Sequence, residues 1–235
     1  MGVLTHNKKG DQTMKTYKTI IREMTNNINK INVIREQINA EKDAEKVAEL
    51  CAKMAKLNLI QQILRDNYTY ALSVAALEAA RDVYRDFDGK AFGEMTEKKT
   101  SKEMRRRGFS FWFHRYSWGG KEADTINIYA VNDNGYECRD EATIYSTRET
   151  DANGNTTRND FITSENKINY HAIETAKPSG KYCDNPAKRA GEIIKARQKF
   201  AAIAEKAYAA QCALNDLLPA NIDHFRNVNQ YIKGF

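Results

Sequence analysis

The chain has 235 residues, 37 Lys and Arg against 31 Asp and Glu, a formal net charge of +6, and 41% hydrophobic residues. That length accommodates one domain or two small ones, and the apolar share lies well above the disordered range. With only 3 Pro and 12 Gly, a collagen-like or proline-rich low-complexity chain is excluded.

Residues 1–12 are polar and aperiodic, and are expected to form a flexible tail. No apolar h-region follows Met1, which argues against a signal peptide. His6 stands where a myristoylation signal needs Ser or Thr. No window approaches the roughly 18 apolar residues of a membrane span, so no membrane association is expected. The cysteines Cys51, Cys138, Cys183 and Cys212 form no C-x-x-C pair and read as reduced, buried thiols of a cytoplasmic protein.

A helical pattern starts at Thr13. Tyr17, Ile21, Met24, Ile28 and Ile31 recur at alternating spacings of four and three; Arg35 interrupts, with Ile34 beside it, and Ile38 resumes. Such a seam predicts a helix packed lengthwise on another helix. Asn39–Asp43 reads as a turn, with Asp43 as N-cap of a second helix. Its stripe is Val47, Leu50, Met54, Leu57 and Leu64, with Gln61 as a polar gap; Tyr68, Leu72, Ala75 and Ala79 extend the face towards Val83. Unbroken from Ala44 to Tyr84 it would be about 60 Å long, with Asp66–Asn67 a candidate break. Two long helices with a short connection imply an antiparallel hairpin.

Residues 86–100 read as a connector. Thr100-Ser-Lys-Glu103 fits a capping box and Gly108 a stop, predicting a short helix over Ser101–Arg107 that ends in three arginines. From Phe109 the period becomes two: Phe109, Phe111 and Phe113 point one way, and Trp112, His114, Tyr116 and Trp118 the other. Gly119-Gly120 marks a turn, Ile126, Ile128 and Ala130 a second strand, Asn132–Gly135 a hairpin, and Ala142–Thr147 a third strand. After a turn at Asp151–Asn155, Phe161–Thr163 and Ile168–Ile173 complete an expected antiparallel sheet of four or five strands over 108–175. Asn185 and Pro186 open a third long helix, which Pro219 stops after Leu218. Its stripe is Ile193, Phe200, Ile203, Ala207, Leu214 and Leu217. A short final helix, Ile222–Tyr231, is capped by Asn221.

The fold class is α+β: a long antiparallel helical hairpin and a C-terminal helix form a coiled-coil-like bundle (13–86 plus 186–235). A basic and aromatic antiparallel β domain, 87–185, is inserted as its head.

Six of the 37 basic residues fall within ten positions: Lys98, Lys99, Lys102, Arg105, Arg106 and Arg107, near only Glu97 and Glu103. The aromatic strand follows at once, with Arg115 inside it. Clustered cations attract phosphates through Coulomb forces and counterion release, and rings on a sheet offer stacking surfaces. The plainer reading is that one aromatic face packs on the bundle and the basic helix is solvated. Yet two aromatic faces need two covers, and Trp, Tyr and Arg are the types enriched in binding hot spots.

His114 and His171 with Cys138 or Asp140 have no metal-ligand spacing and read as ordinary histidines. Asp151–Asn155 resembles a calcium loop, but glycine is missing at position six and Ile162 stands at position twelve. Phosphate-loop, dinucleotide, zinc-protease and serine-hydrolase motifs are absent, so no enzymatic activity, cofactor or metal is expected.

The expected function is therefore non-enzymatic binding of nucleic acid or a nucleoprotein through Lys98, Lys99, Lys102, Arg105, Arg106, Arg107, Trp112, Arg115, Tyr116 and Trp118. The alternative is an anti-CRISPR-like inhibitor from a phage or mobile element, to which the Asn/Lys-rich composition is suited, acting on a host nucleic-acid-processing enzyme by protein contacts. A third reading is an enzyme built on His114, His171 and Arg115. The helical seams also allow a homodimer.

Overall fold

The structure, a computed structural model, describes residues 14–95, 98–118, 121–132 and 134–217. The predicted tail, the Gly119-Gly120 turn and the 222–231 helix lie outside them.

Helix α1 (Tyr17–Ala40) starts where the Thr16 hydroxyl accepts the Thr19 N–H. Three residues later α2 (Ala44–Tyr84) begins, its first turn capped by the Asp43 carboxylate, which accepts the N–H groups of Glu45 and Lys46. Helix α2 runs unbroken through Asp66–Asn67. The two helices pack together, joined by the expected short turn.

The buried face of α1 differs from the expected seam. Ile20, Asn27 and Ile31 are buried with Tyr17 and Met24 packed beside them, while Ile21 and Ile28 are exposed. Both choices satisfy a three–four repeat, and the partner helix decides between them. Gln61 interrupts the apolar face of α2, and the Asn27 amide meets it, donating to Gln61 Oε1 at 3.0 Å and to the Leu57 carbonyl at 2.9 Å. A buried polar group keeps its hydrogen bonds only in this register.

A single 3₁₀ turn, Arg85–Phe87, leads to α3 (Phe92–Met95) and α4 (Lys98–Arg106). Helix α4 starts three residues before the expected Ser101. It stops at Gly108, whose φ of +87° is the left-handed conformation that glycine adopts without strain. Strands β1 (Phe109–Trp118), β2 (Lys121–Val131) and β3 (Glu137–Tyr145) then form one antiparallel sheet in chain order. Asn132 makes the β2–β3 turn: its side-chain oxygen accepts the N–H groups of Asn134 and Tyr136, both at 3.0 Å.

Among the described residues the expected four or five strands do not form one sheet. β4 (Thr147–Thr150) and β5 (Thr156–Asn159) pair separately around the Asp151–Asn155 turn. There the Asp151 carboxylate accepts the Asn155 side chain and the N–H groups of Asn155 and Asn153, which holds its pKa below the usual carboxylate value. The segments expected as final strands contribute one bridge, Ile162 to Ile168. The Asn169 amide then donates to Asn159 Oδ1 and the Asp160 carbonyl, the chain turns, and α5 (Tyr170–Thr175) follows. Ala172, Ile173 and Ala176 are buried at helical spacing, which overrides the apparent alternation.

One core cluster joins these elements. The sheet's inner face (Phe109, Ile126, Ile128, Ala130, Ala142 and Ile144) lies against Leu72, Ala76, Ala80 and Tyr84 of α2, with Phe161 and α5 closing the side. The Tyr84 ring sits 6.0 Å from that of Phe111 and 6.3 Å from that of Phe113, and burial raises its phenol pKa. In α2 the fully buried positions begin only at Ile63; the stretch before it shares its partly covered face with α1.

Helix α6 (Pro186–Leu217) opens as expected, the Asn185 side chain accepting the Lys188 N–H at 2.9 Å. Just before it, Asn67 of α2 clamps the chain: its amide donates to the Cys183 carbonyl at 2.8 Å and accepts the Cys183 N–H at 2.7 Å. Helix α6 packs on α2, but Ala190 is its one fully buried position among the described residues. Phe200 and Ile203 of the expected stripe are 73% and 57% exposed. An apolar stripe records amphipathy, not a cover, and α1 already occupies the long face of α2. Cys51 is exposed rather than buried, and Cys183 and Cys212 are half-buried free thiols. No helix among the described residues is long and apolar enough to cross a membrane.

Candidate functional site

Helix α4 sits across one end of the sheet. The Val131 N–H donates to the Gly108 carbonyl at 2.9 Å, and Met104 is buried in the shared core, so the helix is anchored through its one apolar side chain. The arginines leave it in different directions. Arg105 donates to the Gly135 carbonyl at 2.8 Å and lies 3.6 Å from Glu137 Oε1. Arg106 lies 3.4 Å from Glu103, and Arg107 reaches Asp82 of α2 at 3.0 Å and Glu103 at 3.4 Å. All three remain substantially solvent-exposed. Pairs of this kind contribute about 0–1 kcal/mol each. Lys102 is exposed, and Lys98 and Lys99 form the first turn of α4.

Strand β1 presents its two aromatic faces to different surroundings. Phe109, Phe111 and Phe113 turn inward to the core. On the opposite face the Trp112 ring is 50% exposed. It is held in place, because its indole N–H donates to Glu137 Oε1 at 3.0 Å, and the Ser110 hydroxyl bonds to the same oxygen. Arg115, Tyr116 and Trp118 continue β1 opposite Asp124, Ala123 and Lys121. The register also sets Trp112 beside Asn127 and then Thr143, and His114 beside Thr125 and then Tyr145. Tyr145 is 66% exposed, and Tyr136, just beyond the β2–β3 turn, is 72% exposed.

Arg105 and Trp112, singled out from the sequence for different reasons, thus converge on one carboxylate. Glu137, Tyr136 and Tyr145 were not among the sequence candidates. The pairing explains why: between Tyr129 and Val131 the partner on β3 jumps from Glu141 to Glu137, two residues further than regular pairing allows. That irregularity brings Glu137 back to the end of the sheet beside α4. The Asn132–Gly135 turn signal located the hairpin, but not its register.

His114 is half-buried on β1, and His171 is exposed on α5 with Nδ1 3.7 Å from Glu174. Among the described residues, no group of three His, Cys, Asp or Glu side chains is placed to hold a metal ion. A shallow depression of ≈ 470 Å³ lies at the α1–α2 turn, where Glu41, Lys46, Glu49 and Lys53 give it mixed charge. No family model, curated protein or solved structure matches the chain. Its function is therefore argued from this geometry.

Proposed function

We propose that the chain is a non-enzymatic binding protein that engages nucleic acid or a nucleoprotein where α4 meets β1. The observation that carries this reading is the Arg105–Glu137–Trp112 network, which couples the basic helix to a half-exposed, fixed indole. A held ring loses little conformational freedom on binding. Lys102 and Arg106 supply positive charge at the rim, and Lys98, Lys99, Arg115, Tyr116 and Trp118 are the further candidate contacts on α4 and β1. In this reading the hairpin pairs in coiled-coil fashion, the protein works in the cytoplasm, and the helical seams are available for a homodimer.

One observation favours a second reading. The three arginines are each ion-paired, and the exposed Phe200 and Ile203 of α6 are apolar. That combination suits an inhibitor, encoded by a phage or mobile element, that grips a host nucleic-acid-processing enzyme by protein contacts.

Filter binding across a salt series separates the two. Native protein is expected to bind an oligonucleotide with affinity that falls as salt rises. A variant with Arg105, Arg106 and Arg107 all changed to Ala should bind more weakly and with a shallower slope. Should loss of the Asp82 and Glu137 pairs unfold that variant, Lys102→Ala with Arg106→Ala tests the same point with Arg105 and Arg107 left in place. Affinity that is insensitive to salt and equal in all variants would sink the nucleic-acid reading.

A further inference from the structure

The outward sheet face has a more specific consequence, which rests on the nucleic-acid reading above. We propose that this face is a stacking platform for an unpaired nucleic-acid strand, with Trp112 as its fixed anchor, Tyr145 as a second ring, and Glu137 as the residue that positions the indole.

Trp112 lies on β1 and Tyr145 on β3, separated by one strand and two residues along the strand direction. Strand spacing and rise place them about 12 Å apart on one face. Asn127 and Thr143, in the row of Trp112, are half-buried, so the surface between the rings is low and polar. Each exposed ring can receive one splayed base of an unpaired strand. In a duplex the base faces are already stacked, so exposed rings have nothing to receive. The geometry therefore favours a single strand.

Charge selects a polyanion over an apolar peptide. The platform is bounded at one end by α4 and the Arg107 that follows it, six basic residues within 98–107. The exposed rings on this face are Trp and Tyr, whose flat surfaces accept any base without reading its edge.

The ion pairs then decide how the binding divides. Arg105, Arg106 and Arg107 already face Glu137, Glu103 and Asp82, so these three add less to counterion release than unpaired cations would. Stacking then supplies a substantial share of the affinity. With about three phosphate contacts on a single strand, raising salt from about 50 to 200 mM lowers affinity at most about twentyfold. A groove that tracks six or more phosphates loses far more.

Glu137 has a positioning role. One of its oxygens accepts both the Trp112 indole and the Ser110 hydroxyl and faces Arg105. The carboxylate thus connects the rim to the ring, and holds the indole in place without contacting the base itself.

Fluorescence tests this directly. The chain has two tryptophans, so a Trp118→Phe background leaves Trp112 as the sole reporter. This protein is titrated with 12-mer oligouridylate, 12-mer oligothymidylate and a blunt 12-base-pair duplex. Quenching by the single strands and at least tenfold weaker duplex binding are expected, and the two homopolymers tell RNA from DNA. In the native background, Trp112→Ala should weaken single-strand binding about tenfold or more, while Trp112→Phe, which keeps a ring, retains most of it. Glu137→Gln should shift the Trp112 emission and weaken binding less than Trp112→Ala does. If single strands bind but Trp112→Ala matches the native protein, or the duplex binds equally well, the platform is overturned and the basic-helix reading survives. Absence of binding by all three probes overturns both.

Discussion

Changing Phe161 to Ala should lower stability by about 3–5 kcal/mol, the usual cost of emptying a fully buried aromatic site. Phe161 has no exposed surface and belongs to the cluster that joins the sheet to α2 and α5. Its carbonyl also accepts the Asn169 N–H at 3.0 Å, at the point where the chain turns into α5. The cavity would therefore open beside that turn. Net stabilities of such domains are about 5–15 kcal/mol, so this one change removes a large part. Phe200→Ala is the control: on the uncovered part of α6 it should change stability by less than about 0.5 kcal/mol. Paired thermal unfolding curves check both, and equal losses would contradict the uncovered placement of Phe200.

Asn67→Ala should cost about 2–4 kcal/mol, because it strands two backbone groups of Cys183 at once. The amide is buried on α2, and its two bonds cross 116 residues of chain to fasten the segment that launches α6. Urea unfolding should show a lower midpoint with an unchanged slope. Asn67→Asp sharpens the test through its pH dependence. A carboxylate there faces the Cys183 carbonyl in a buried site, so its folded pKa is raised above the unfolded value of about 3.9. Relative to the native chain, this variant is least destabilised below that unfolded pKa and loses stability as pH rises through the folded one. A penalty that does not vary with pH would remove the buried clamp from the account.

These residues also show where sequence patterning carries through to structure and where it stops. Asp43, Asn185 and Gly108 were readable because capping and left-handed turns depend on a few adjacent residues. The spans of the three long helices and the pair of turns at Asn132 and Asp151 follow from equally local chemistry. Asn67 looked like a helix breaker because its partner lies far along the chain. The face of α1 was misplaced for a related reason: Ile20 and Ile21 fit the repeat equally well until Gln61 supplies the polar seat for Asn27. At the candidate site, Arg105 and Trp112 were legible as residue types in a cluster. Glu137 was not, because a register shift on β3 brings it there. Local patterns specify elements, while the contacts that join them depend on pairings no local window contains.

The distribution of burial along α2 has one further consequence, for motion. Its fully buried positions run from Ile63 to Tyr84, whereas the 44–62 stretch, packed on α1, has none. The far end of the hairpin therefore has fewer apolar contacts opposing separation, and its amide protons should exchange with solvent through partial openings. Those near Leu72 should wait for global unfolding. Amide exchange should accordingly grade along one unbroken helix, slow at Leu72 and fast at Leu50. A single continuous rod would then behave as a rigid stem with a tip that opens and closes independently.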